Sequence, residues 1–213
     1  MISLFLDSAA HNLIVALYQD GRLMEYVLET NDNHLSERLL PTIKRVLEKC
    51  HIKKEEINEL IVVTGPGSFT GIRIGVTIAK TMAWALKISI KTISELEVLA
   101  TTPTEKQYLV PYIDARREAV YAGVYLKDGS NILEDQYLTI AELKQKLSKI
   151  APKKDLLYLG YEAVFDSYQE PQIDLESLGL KFPQLKIINP HAVNPNYLKR
   201  TEAEEKLVHE SNS

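Results

Sequence analysis

The sequence predicts an α/β protein made of two tandem domains, each with a mixed sheet flanked by helices. Three observations point there: one order of elements occurs twice, a glycine-rich turn links an apolar strand to a small-residue helix, and a proline-containing break separates the halves. The first copy opens on "LFLDSAAHNLIVALYQDGRLME" from Leu4, and the second on "PYIDARREAVYAGVYLKDGSNILE" from Pro111. Each begins with a short apolar strand that ends in an aspartate, Asp7 or Asp114.

An alternating strand follows, Leu13–Tyr18 or Ala119–Leu126, and then an Asp-Gly turn, Asp20-Gly21 or Asp128-Gly129. Asp-Gly between alternating strands signals a β-hairpin, because both residues tolerate positive φ. Next comes a helical segment, "LSERLLPTIKRVLEK" or "IAELKQKLSKI". Pro41 is expected to kink the first of these or end its first segment. Another apolar strand then runs into glycine, "ELIVVTG" or "DLLYLGY". The segment "ATTPTEKQ" (Ala100–Gln107) marks the break. The expected domains are 1–103 and 104–213, with a final helix over about 196–210 that packs back on the first domain. This plan matches the actin-like (ASKHA, ribonuclease H-like) superfamily of ATPases and sugar kinases, whose first aspartate in each half points into the cleft.

Composition narrows the function. The 213 residues are 45% hydrophobic, enough for a sizeable core. A formal charge of −4 and a pI of about 5.8 argue against a protein dedicated to gripping nucleic acid. Cys50 is the only cysteine, so an intrachain disulfide and a cysteine-cluster metal site are excluded. The apolar start is broken by Asp7 and His11 and lacks signal-peptide features. No apolar run reaches the roughly 20 residues a membrane span needs. The expectation is a cytoplasmic protein that makes no membrane contact.

"VVTGPGSFTGIRIGVTIAK" (Val62–Lys80) resembles a phosphate loop but has the wrong spacing. A Walker loop places four residues between its glycines and follows them with Lys and Ser/Thr. Here five residues separate Gly65 from Gly71, Ile72 follows, and no lysine appears before Lys80. The dinucleotide fingerprint fails at Thr70, where its third glycine belongs. After Asp7 come Ser8, Ala9 and Ala10, and after Asp114 come Ala115, Arg116, Arg117 and Glu118, so neither aspartate is followed by a glycine cradle. Asp7 and Asp114 either cap tight turns or, with Gly65, Gly67 and Ser68, remain as a vestigial or weak nucleotide site.

Ser68 or Thr70 is suited to cap the helix that follows. Gly71, Gly75, Ala79 and Ala83 recur along one of its faces, and small residues let another backbone approach. That backbone belongs either to a partner or to the chain's own sheet. The flanking Arg73, Thr77, Lys80 and Trp84 favour a partner. Arg73, Arg116 and Arg117 are read as surface ion pairs, with nucleic-acid phosphates as the alternative.

"GPGSFTGIRIGVTIAKTMA" resembles the signature of the TsaB (YeaZ) family. "LDSAA", "SERLLP", "YIDARREAVYAGVY" and "NPNYLKRTEAEEK" fall in register with other blocks of that family, with Asp-Ser for Asp-Thr and Lys199 for arginine as departures. The resemblance implies two actin-like domains and a non-catalytic subunit without cofactors. Such a subunit pairs with the transferase TsaD and works with the ATPase TsaE to make threonylcarbamoyladenosine in tRNA. Contact with tRNA would come only through the complex, and a homodimer would form when TsaD is absent. The implied contact helices carry Gly71, Arg73, Gly75, Thr77, Ala79, Lys80, Ala83 and Trp84, with His34 and Arg38 on the neighbouring helix. TsaD-like proteins hold a metal with His-x-x-x-His, whereas this chain has His34 and then Arg38, so no metal is expected. The alternative is an actin-like-fold ATPase or small-molecule kinase using Asp7 and the 65–71 loop. A peptidase finds no metal pair and no Ser/His/Asp set.

Overall fold

A computed structural model describes residues 1–31 and 34–199. The first sheet grows from a meander, β1 (Ile2–Asp7), β2 (Asn12–Gln19) and β3 (Arg22–Thr30). Helix α1 (Leu35–Lys49) then crosses to β4 (Glu59–Val63), and α2 (Phe69–Leu86) crosses to β5 (Ser89–Ile93). A short helix, α3 (Glu95–Leu99), leads to the second sheet. There β6 (Tyr108–Asp114), β7 (Ala119–Leu126) and β8 (Asn131–Thr139) form another meander, and α4 (Ile140–Ile150) crosses to β9 (Leu156–Leu159). Finally α5 (Leu175–Gly179) and β10 (Ile187–Ile188) return the chain to the first sheet.

The duplicated order is visible in the strand pairing. β2 lies antiparallel between β1 and β3, and β4 is parallel to β1. β7 likewise lies antiparallel between β6 and β8, and β9 is parallel to β6. The first sheet continues beyond this shared pattern, with β5 parallel to β4 and β10 antiparallel at the edge. Strand chemistry follows position. β1, β2 and β4 are apolar and almost wholly buried, as expected of strands covered on both faces. β3 is an edge strand that buries little besides Val27.

The two Asp-Gly turns differ. Asp20 and Gly21 both adopt positive φ, 50° and 79°, in a two-residue hairpin loop. In the second turn only Gly129 does, at 87°, and the strands are joined by residues 127–130. Both helices occupy their expected spans, and α4 closes with a reciprocal cap. The Glu142 N–H donates to Thr139 Oγ1 at 3.2 Å, and the Thr139 N–H donates to Glu142 Oε2 at 2.8 Å. Helix α1 runs unbroken through Pro41, so the expected end of its first segment is not found. The proline is exposed, where water can take the carbonyl its missing N–H leaves unbonded.

The C-terminal boundary also departs from expectation. Leu175, Leu178, Phe182 and Val193 belong to the first sheet's core, not to the core of the second half. The Phe182 ring meets Tyr18 edge-on at 4.8 Å, and Tyr18 Oη donates to the Leu175 carbonyl at 2.9 Å. Among the described residues no counterpart of α2 follows β9. The predicted helix over 196–210 lies outside the described residues from 200 onward.

A buried ion pair ties this return to the sheet. Lys91 Nζ lies 2.8 Å from Glu59 Oε2 and donates to the Phe182 carbonyl, also at 2.8 Å. Glu59 Oε1 accepts from Ser3 Oγ at 2.7 Å, so the buried carboxylate is bonded on both oxygens. Removing one partner would strand a buried charge. Lys91→Met should therefore cost about 3–5 kcal/mol in urea unfolding, and adding Glu59→Leu should recover part of that loss.

Candidate functional site

The glycine loop is closed by the protein's own chain. A Cβ on Gly67 would stand 2.1 Å from the Ala9 carbonyl oxygen, and one on Gly71 would stand 2.1 Å from that of Ser8. At Gly75 the Cβ would meet Ser8 Oγ at 2.3 Å. The Ser68 N–H donates to the Ala9 carbonyl, and Ser8 Oγ donates to the Gly71 carbonyl at 2.9 Å. Ser68 is the N-cap, its Oγ accepting from the Gly71 N–H at 3.2 Å, while Thr70 lies inside the helix. Gly65 is buried, and a Cβ there would fall 2.9 Å from the Asn196 carbonyl oxygen. Ala9 and Asn196 thus crowd the backbone of Gly67 and Gly65, while Ser68 itself is exposed.

The small-residue stripe consequently faces inward. Gly71, Gly75, Ala79 and Ala83 are all buried within the chain, which corrects their assignment to a partner surface. The reason is local: the turn after β1 passes so close to α2 that only glycine fits at two successive helical turns. The flanks divide. Arg73 Nε donates to Tyr197 Oη at 2.8 Å and Lys80 Nζ to the His191 carbonyl at 3.3 Å, so the chain's own C-terminal stretch engages both. Thr77 and Trp84 stay exposed, Trp84 to 64%. Arg73 also departs from the ion-pair reading, because its guanidinium stacks 3.7 Å above the Phe69 ring. On α1, Arg38 pairs with Glu29, and exposed His34 lies 3.8 Å from Glu37.

The two repeat aspartates behave alike. Asp7 Oδ1 accepts from the Ala9 N–H at 2.8 Å, and Asp114 Oδ1 from the Arg116 N–H at 2.8 Å. Each caps its own strand-ending turn two residues ahead. In the second copy Arg116, Arg117 and Glu118 follow with φ of 65°, 53° and 57°. Arg116 pairs with Asp114 at 3.5 Å. Among the described residues no group of three His, Cys, Asp or Glu side chains could hold a metal ion.

Sequence reasoning missed Glu95, at the first position of α3. It looks like a solvated first-turn acid, but it is 2% exposed and faces Asp7, which is 1% exposed. Asp7 Oδ2 and Glu95 Oε2 are both buried without a hydrogen-bond partner. Two ionised carboxylates there would be orphaned acceptors, whereas a proton on Glu95 makes one of them a donor. Burial, and then the Asp7 charge, raise the Glu95 carboxyl well above its ordinary value, and burial pushes Asp7 up to about 6. Tyr161, from beyond β9, lies above this pair. Its Oη accepts from Asn12 Nδ2 at 2.6 Å, and its ring stacks on His11 at 4.0 Å.

Two expectations follow. Gly75→Ala and Gly71→Ala should each destabilise the fold by about 1–3 kcal/mol in urea unfolding. Ser8→Ala should relieve only the first, because Gly71 meets a backbone carbonyl while Gly75 meets the Ser8 hydroxyl. The second concerns pH. Both carboxyls are raised on folding, so their stabilising effect is complete at low pH and declines as pH rises, through about 6 for Asp7 and beyond the ordinary carboxylate range for Glu95. Asp7→Asn, which keeps the Ala9 acceptor and adds a donor towards Glu95, should flatten that decline and melt higher than wild type at pH 8.

A family model described as "TsaD: tRNA N6-adenosine threonylcarbamoyltransferase" matches residues 27–209. The Bacillus subtilis protein called "tRNA threonylcarbamoyladenosine biosynthesis protein TsaB" is 32% identical, with 98% of each chain covered. A Buchnera aphidicola protein of the same name is also 32% identical, covering 90% of this chain and 89% of its own. Among solved structures, YeaZ from Pseudomonas aeruginosa shares the fold with a TM-score of 0.73 at 24% identity, covering 92% of this chain and 99% of that one. With such identity extending over nearly its whole length, the chain belongs to the TsaB (YeaZ) family.

Proposed function

We propose that the chain is a non-catalytic subunit in the biosynthesis of threonylcarbamoyladenosine in tRNA, pairing with a TsaD-like transferase and working with a TsaE-like ATPase. The observation that carries this reading is the 32% identity, over 98% of both chains, to a protein named for that biosynthesis. The two sheets are read as tandem actin-like domains, since both carry the same meander and parallel crossover. The close packing of Ser8 and Ala9 against the glycine loop supports a structural use of those glycines. In the absence of the transferase, a homodimer through the same surface is expected.

The partner surface is narrower than the sequence suggested. It is formed by the outer faces of α1 and α2, where Leu40 is 53% and Trp84 64% exposed. Ile74, Ile78 and Met82 recur every four residues on α2 and are only partly buried. Apolar anchors with an aromatic among them are the usual energetic centre of an interface.

Trp84→Glu should weaken binding to the TsaD-like partner by about tenfold or more and leave the unfolding midpoint unchanged, as checked by titration calorimetry and urea melts. Undiminished pairing would remove these helices from the interface. Magnesium-dependent ATP turnover by the isolated chain would favour the kinase or ATPase reading.

A further inference from the structure

The C-terminal stretch up to Lys199 does more than cover α2. With the glycine loop it bounds an open groove of about 660 Å3, lined by Pro66, Phe69, Arg73, Tyr121, Tyr197 and Lys199 among others. That volume falls within the range of about 300–1,000 Å3 typical of ligand pockets. Among the described residues no carboxylate lines the groove. Three of its lining residues are aromatic, Phe69, Tyr121 and Tyr197, and Tyr137 stands next to Tyr121 outside the lining. Phe69 and Tyr197 stack with centroids 5.3 Å apart, and Tyr121 lies tilted 5.7 Å from Tyr137. Phe69 and Tyr197 are 54% and 41% exposed, unusual for rings that could have packed inward.

Each aromatic pair carries a cation. Arg73 Cζ sits 3.7 Å over Phe69, and Lys199 Nζ lies 4.9 Å from the Tyr137 centroid. Their polar and ring contacts are with aromatic side chains, and neither makes a salt bridge among the described residues. This is a local inversion of charge, since the chain as a whole carries 29 acidic and 25 basic side chains. Flat π surfaces beside cations that make no salt bridge among the described residues are complementary to an anionic ligand with planar aromatic groups. A nucleotide has that chemistry. The duplication of ring pair and cation matches two successive nucleotides, because a single free nucleotide would use only one platform.

We propose that this groove binds two consecutive unpaired nucleotides of an RNA strand. One base stacks on the Phe69–Tyr197 pair and the next on the Tyr121–Tyr137 pair, while Arg73 and Lys199 face the phosphates. The choice of RNA rests on the tRNA-modification reading above; the groove's preference for an aromatic anion does not. Within the complex, this surface would add a direct strand contact to a tRNA otherwise held by the transferase.

The test uses the full chain and a fluorescent six-residue oligoadenylate, followed by anisotropy. Binding should weaken with salt and survive competition by AMP or by an RNA duplex. Tyr197→Ala and Lys199→Ala should each weaken it by about tenfold, with unchanged melting and unchanged pairing with the TsaD-like partner. Absence of binding, equal binding by both variants, or displacement by AMP at the oligonucleotide's own concentration would each overturn the proposal. So would capture of an oligoglutamate peptide in place of RNA. Trp84→Glu separates the two readings, since it should impair pairing and leave oligoadenylate binding intact. Loss of RNA binding with pairing preserved would sink the groove and leave the proposed function standing.

Discussion

The contact between α2 and the turn after β1 is the constraint on which most of the structure depends. Three glycines, at 67, 71 and 75, offer bare backbone to Ser8 and Ala9, and any Cβ there would lie within 2.3 Å of an oxygen. Interiors are packed too densely for such an overlap to be absorbed without moving an element. The same contact accompanies the Ser68 cap at the start of α2. It also fixes the rotation of α2, which turns Trp84 outward and leaves Arg73 and Lys80 within reach of the returning C-terminal stretch.

Helix α3 joins this arrangement to the second sheet. The Glu95 N–H donates to the Gly65 carbonyl at 3.0 Å, while the Glu95 side chain meets Asp7. One residue on, Leu96 enters a separate cluster with Leu99, Leu109, Tyr125 and Leu159. Ser94 bonds Asp135 on β8, and Glu97 pairs with Lys181 at 3.0 Å. Five residues of helix thus contact the glycine loop, the buried carboxyl pair and the core of the other half. A carboxyl pair at such a joint couples protonation to the packing between the sheets, because its neutral form is the one that burial favours.

Much of the fold was legible in local chemistry. The duplicated strand, hairpin, helix and strand could be read because apolar periodicity and Asp-Gly turns are local signals, and their order reappears in both sheets. The N-cap at Ser68 and the turn-capping roles of Asp7 and Asp114 were each legible as one of two alternatives, for the same reason. What failed were statements about which surface a residue meets. A stripe of Gly71, Gly75, Ala79 and Ala83 specifies that something approaches closely, but its spacing is the same whether the neighbour is another chain or Ser8. Glu95 carried no signal at all, since an acid opening a helix is normally solvated.

Residue order alone was therefore enough for the α/β class, the internal duplication, the exclusion of a Walker or dinucleotide loop, and the family resemblance. Each of these rests on residue types at short, fixed spacing. The inward orientation of α2, the union of Asp7 with Glu95, the return of Phe182 to the first core and the aromatic groove closed by Tyr197 emerged only on folding. All four join residues at least 88 positions apart or depend on the rotation of a whole helix about its axis. Such pairings are selected by global packing, in which many local patterns are satisfied at once.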